Sequence, residues 1–168
     1  MRLKEYQSSV LEKLSAYLGK LSTEAGNRAK ELADIEQLPP ETRAKVLKML
    51  SDPVPSAWDA AIAEGIAASP DPWRELKDGA GRSIPHVCLK LPTGGGKTLL
   101  AAHSVDRILV NHFKQTNGFV LWIVPSEAIY SQTKTQLADR SHPLRQTLDR
   151  MSGGRVKILG EARRFHQD

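Results

Sequence analysis

One segment limits what this chain can become more than any other. The apolar run His86-Val87-Cys88-Leu89-Lys90-Leu91 passes through Pro92 into Thr93-Gly94-Gly95-Gly96-Lys97-Thr98. Leu99, Leu100, Ala102, Val105, Ile108, Leu109 and His112 then follow at helical spacing,. The pattern predicts a buried strand, a glycine loop and a helix. Three successive glycines let backbone N–H groups converge on an anion without Cβ clashes, at the positive end of a helix. Lys97 would bring a point charge to the anion, and the Thr98 hydroxyl suits a Mg²⁺ ligand. That is the layout of a nucleotide phosphate loop. The competing reading is a glycine-rich turn followed by an ordinary lysine. Five fixed residues at about 6–7% usage each coincide roughly once in a million windows, which favours the phosphate loop.

The flanks extend the pattern. Phe119–Val124 is a second apolar run, closed by Pro125, and Val156-Lys157-Ile158-Leu159 is a third. Between them, Ser126 can cap a helix holding Ile129, Tyr130, Thr133 and Leu137, and His142–Met151 forms another before Gly153-Gly154,. Asn117-Gly118 signals a turn. Alternating strands and helices of this length predict an α/β fold with a parallel sheet and right-handed crossovers. Before Pro85 the texture is helical. Leu3, Tyr6, Val10, Leu14, Tyr17, Leu18 and Leu21 share one face, and Pro39-Pro40 stops the helix that carries them,. Glu41–Leu50 forms a second helix, Ser56 caps an alanine-rich third that runs to about Ala68, and 69–85 reads as a loop,. The expected division is a helical segment at 1–85 and a sheet-containing domain at 86–168.

Charge follows the same division. Residues 1–85 carry 12 basic and 13 acidic side chains, net −1, and residues 86–168 carry 12 and 6, net +6. A basic half points to an anionic partner without choosing among nucleotide, nucleic acid and membrane surface. The longest apolar run near a motif is far too short to span a bilayer, and the first residues mix charges with apolar side chains, unlike a secretory signal. Cys88 is alone, which excludes an intrachain disulfide and fits a reducing, cytoplasmic compartment,. It is expected in the core of its strand. His103 and His112 are nine residues apart and face opposite sides of their helix,. Trp122 is expected to pack rather than stack on a base.

One departure narrows the class. The general phosphate-loop pattern has glycine where this chain has Leu91,. The mismatch weakens a relation to small kinases and GTPases, but not to motor ATPases with loops of the form x-x-T-G-x-G-K-T. Leu91–Thr98 resembles motif I of superfamily 2 helicases, and its wording, Leu-Pro-Thr-Gly-Gly-Gly-Lys-Thr, is similar to that of the type III restriction enzyme Res subunit. Leu121–Thr133, containing Val124-Pro125-Ser126, resembles that group's motif Ia region, and Ser141–Leu159 is also similar. Leu3-Lys4-Glu5-Tyr6-Gln7 resembles the amino-terminal glutamine element of such motors. The resemblance covers 1–20 loosely and 86–160 well; 25–80 carry no recognisable family pattern.

The resemblance implies a partial RecA-like parallel sheet, a P-loop NTPase fold, preceded by the helical segment. It implies ATP and Mg²⁺ as cofactors, held by Thr93, Gly94, Gly95, Gly96, Lys97 and Thr98, with Lys97 and Thr98 catalytic and Thr98 on the metal. Gln7 would read the adenine edge, since a carboxamide satisfies one donor and one acceptor together. Pro125 and Ser126 would touch a nucleic-acid backbone, and Arg150, Arg155, Lys157, Arg163 and Arg164 supply a basic surface,. The parent enzyme would be an ATP-dependent DNA translocase of a restriction endonuclease, acting on duplex DNA beside a methyltransferase (modification) subunit, with no membrane role. Another superfamily 2 motor, such as a type I restriction subunit or a repair helicase, is the alternative; a non-motor P-loop protein or a structural module fits less well. Hydrolysis in this class also needs a carboxylate pair and arginines from a second lobe. No Asp-Glu dipeptide follows the third apolar run. The sequence therefore reads as the amino-terminal piece of a larger enzyme, inactive alone.

Overall fold

The computed structural model describes residues 3–68 and 73–159. Its elements are helices: α1 (Glu5–Glu36), α2 (Pro40–Met49), α3 (Pro53–Ala63), α4 (Lys97–Asp106) with a π-helical continuation Arg107–His112, α5 (Glu127–Ala138) and α6 (Pro143–Ser152). They belong to two compact units, one of Glu12–Lys90 and one of Met1–Leu11 with Leu91–Asp168.

In the unit of Glu12–Lys90, α1 buries Leu14, Tyr17, Leu18 and Leu21, and α3 buries Val54, Ala57 and Ala61. Each buried leucine contributes about 1.5–3 kcal/mol. Tyr17 meets Trp58 edge-on at 5.8 Å; Trp58 lies 5.6 Å from Trp73, and Trp73 lies 4.4 Å from His86. Burial pushes the Tyr17 hydroxyl up to about 12,. Lys20 on α1 pairs with Glu64 just past α3. The Arg43 guanidinium donates to the carbonyls of Glu36 and Leu38 and so ties α2 to the end of α1. The expected Ser56 cap is corrected. Asp52 caps α3, its carboxylate accepting from Val54 N at 2.9 Å, while Ser56 lies inside the helix and donates to Asp52 O. Pro53 supplies the reason: it fills the first helical position, where its missing N–H costs nothing.

In the other unit, Ala102, Leu137, Leu144 and Leu148 from α4, α5 and α6 form a core, with Val105, Trp122, Val156 and Ile158 packed on it. Ser126 caps α5, and Gly153 and Gly154 end α6 with φ of 63° and 78°,. Trp122 packs, as expected. The bend in the preceding connection falls at Thr116 rather than at Asn117-Gly118.

The expected parallel sheet is not formed. Among the described residues, 86–91, 119–124 and 156–159 are neither helical nor paired, and β pairing is limited to an isolated antiparallel bridge between Lys77 and Ser83. Phe119, Leu121 and Ile123 are 72–82% exposed, and Cys88 is exposed rather than in a core. The physical reason is the source of the hydrogen bonds. A helix bonds within itself, whereas a parallel strand bonds only to a neighbour at the right register. Apolar, β-branched runs therefore state a preference that they cannot satisfy singly.

Candidate functional site

The glycine loop is built by backbone requirements. Pro92–Gly95 makes a tight turn in which Gly95 N donates to Pro92 O at 3.0 Å, with Gly94 in the left-handed region at φ 73°. A Cβ on Gly95 would sit 2.8 Å from Pro92 O, so that glycine is demanded by close approach,. Gly96, at φ 79°, is the N-cap of α4 and brings no side chain to the cap, so the first-turn N–H groups have no side-chain partner,. Thr93 and Gly94 are exposed, Gly95 is buried, and Thr98 is half-buried in the first turn of α4. Lys97 is exposed and its Nζ donates to Pro92 O at 2.9 Å, curling over the loop.

Gln7, nominated for the adenine edge, is brought to the loop by the fold. It is 4% exposed. Its Nε2 donates to Gly95 O at 2.8 Å and its Oε1 accepts from Lys4 N at 2.9 Å. A carboxamide has two hydrogens and two lone pairs, so one of each remains. A Cβ on Gly96 would meet Gln7 Nε2 at 2.6 Å, a third reason for glycine in this loop. Tyr6, which the sequence pattern assigned to a helix face, donates its hydroxyl to the same Gly95 carbonyl at 3.1 Å.

This arrangement has features that suit an anion: a glycine-rich backbone turn, the N-terminus of a helix, an exposed cation and a nearby hydroxyl,. The type III restriction enzyme, res subunit, family matches residues 1–163. The chain belongs to the type III restriction enzyme Res-subunit family. The family match takes in residues 25–80, where the sequence pattern alone marks no relation. Comparisons with curated proteins and with solved structures found no match. Among the described residues no helix is long and apolar enough to cross a membrane, and no cluster of His, Cys, Asp and Glu could hold a metal ion.

Several other nominated residues of this Res-subunit family member have clear places among the described residues. Ser126 is committed to α5, its Oγ accepting from Ile129 N at 3.4 Å, with Pro125 immediately before it. Arg150 and Arg155 bond back to the carbonyls of Gln146 and Ser152. Arg163 and Arg164 lie outside the described residues. Arg145 lies within the resemblance at Ser141–Leu159, where the sequence pattern assigns it no role. It is 5% exposed, pairs with Asp149 at 2.8 Å, and donates to Leu137 O and Val156 O at 3.0 Å each. The signal for it was the (i, i+4) Arg–Asp pair lying beside Leu144 and Leu148. A cavity of about 740 Å³ is lined by Trp122, Leu137, Leu148, Val156 and the cations Lys134 and Lys157, and none of the loop residues 92–98 line it.

Proposed function

We propose that this chain is a nucleotide-binding part of an ATP-dependent DNA translocase of the type III restriction class. The observation that supports it is the loop itself. Left-handed Gly94 and Gly96 open α4 directly at Lys97 and Thr98, within a chain of the Res-subunit family.

The residues present fit a triphosphate with Mg²⁺. The N–H groups of Gly96, Lys97 and Thr98 would bind phosphate oxygens, and Lys97 would leave Pro92 O to pair with the β- and γ-phosphates. Thr98 would hold the metal through its hydroxyl; when bound, Mg²⁺ spreads the charge of the transferring phosphoryl group. The spare donor and acceptor of Gln7 suit an adenine edge. Pro125 and Ser126, with the basic side chains Arg150, Arg155 and Lys157, would face the backbone of duplex DNA. The enzyme's partner would be a methyltransferase subunit that reads the site, and the enzyme would be a hydrolase of ATP.

Calorimetric titration with ATP–Mg²⁺ tests the reading. Saturable binding that Lys97→Ala weakens about ten- to hundredfold is expected, the loss of one charge-assisted contact. Equal affinity in both proteins, or none in the wild type, refutes it.

A further inference from the structure

We infer that Tyr6 is a positioning residue for the phosphate loop, acting through the Gly95 carbonyl to aim the Gly96 N–H at the phosphates. The inference rests on the phosphate-binding reading above and adds to it a residue outside the loop.

The geometry starts from the peptide unit joining Gly95 to Gly96. It is planar and trans, so its carbonyl oxygen and its N–H point in opposite directions. Whatever fixes the oxygen fixes the N–H. Between glycines this unit would otherwise turn easily, because no Cβ restricts the torsions on either side. Here the oxygen takes two donors, Gln7 Nε2 at 2.8 Å and the Tyr6 hydroxyl at 3.1 Å. A carbonyl oxygen has two lone pairs, so its capacity is filled. Gln7 Oε1 in turn accepts from Lys4 N, just before α1, so the clamp is tied to backbone at the helix start rather than to a freely rotating side chain.

The two donors are not equivalent. Gln7 is buried, has a spare donor and acceptor, and fills the space that a Cβ on Gly96 would need. Tyr6 is 38% exposed and has the Gly95 carbonyl as its hydrogen-bond partner. Its hydroxyl adds the second point that stops the peptide pivoting about the Gln7 bond. An N–H already aimed pays no reorganisation when the anion arrives, and this preorganisation raises affinity without a new contact.

The test is Tyr6→Phe in the full 168-residue chain, which keeps the ring and removes the oxygen. Two readouts are taken: the Gly96 amide resonance by ¹H–¹⁵N NMR, and calorimetric titration with inorganic tripolyphosphate–Mg²⁺ and with ATP–Mg²⁺. The expected result is a shifted or broadened Gly96 amide while the Leu144 and Leu148 amides stay in place. Both ligands should weaken by the same factor, about three- to tenfold, the scale of one neutral hydrogen bond. An unmoved Gly96 amide overturns the inference, and so do unchanged affinities. Weaker ATP binding with unchanged tripolyphosphate binding also overturns it, assigning Tyr6 to the base instead. If the wild type takes neither ligand, the proposed function fails, and the Gly96 amide alone decides whether Tyr6 holds the peptide.

Discussion

Arg145→Met is the sharpest probe of what holds the loop-bearing unit together. The substitution keeps most of the apolar stem and removes the guanidinium. Three contacts vanish: the pair with Asp149 at 2.8 Å and the donations to Leu137 O and Val156 O at 3.0 Å. The Arg145 side chain is 6% exposed and that of Asp149 is 20% exposed. Removing one partner of a buried pair costs about 3–5 kcal/mol, because the other partner and any freed carbonyls lose their compensation. Asp149 can rehydrate in part, so the lower end, about 3 kcal/mol, is expected. Arg145→Lys keeps the charge but not the fork and should fall between wild type and Met. Urea denaturation, followed by Trp122 fluorescence in a Trp58→Phe/Trp73→Phe background, reports this unit alone. With a slope of about 1–3 kcal/mol/M, the midpoint should drop by at least about 1 M. A Met variant within about 1 kcal/mol of wild type would show that the buried fork holds nothing, and the reasoning would fail.

Other outcomes follow from the same geometry. Lys97→Ala should leave the melting temperature unchanged or slightly higher, since an exposed cation is removed from the positive end of α4,; a large drop in a thermal melt would make Lys97 structural. Gly96→Ala should destabilise by about 1–3 kcal/mol, through strain at φ 79° and displacement of Gln7, measured by the same urea assay,; no loss would refute the packing described. His103 and His112 are both held below 6.5, by burial first and then by Arg150 and Arg107 around His103 (Asp106 opposing) and by Lys114 beside His112. Their depressed values mean that stability is full above pH 6.5 and falls as pH drops through their folded values. A His103→Gln/His112→Gln chain should flatten the melting-temperature profile there, and an unchanged slope would exclude them. Any affinity for duplex DNA should fall steeply with salt, as expected from net +6 over 86–168,; binding that survives high salt in a fluorescence titration would argue against a phosphate-tracking surface.

The helices were legible because their determinants are local. Apolar spacing marks α1, α4 and α5, prolines bracket α2 and α3, and Gly153-Gly154 stops α6. The error at Ser56 was one of register: serine suits a cap, but Pro53 already fixes the first turn four residues after Met49. Phe119–Val124 was legible as apolar and β-branched, yet pairing is a property of two segments, and one segment's composition says nothing of its neighbour. The loop's residues were legible individually. Its connection to Gln7 spans 88 positions and came from resemblance, whereas the Tyr6 hydroxyl had no local signature. Arg145 was hidden by its charge, since a guanidinium in the core contradicts the usual partition of residue types.

The exposed run Phe119–Val124 also governs how the protein behaves at the bench. Six consecutive residues without a charge, rich in β-branched and aromatic side chains and with Phe119, Leu121 and Ile123 largely exposed, have the composition of a self-adhesive segment,. Pro125 at one end and Lys114 five residues before the other are the nearest interruptions to a growing stack,. Concentrated stocks are expected to cloud by contact between these segments, and more readily at high salt, which screens the charges that keep the molecules apart; light scattering against concentration and salt checks this. A single lysine in place of Leu121 would trade that stickiness for shelf life.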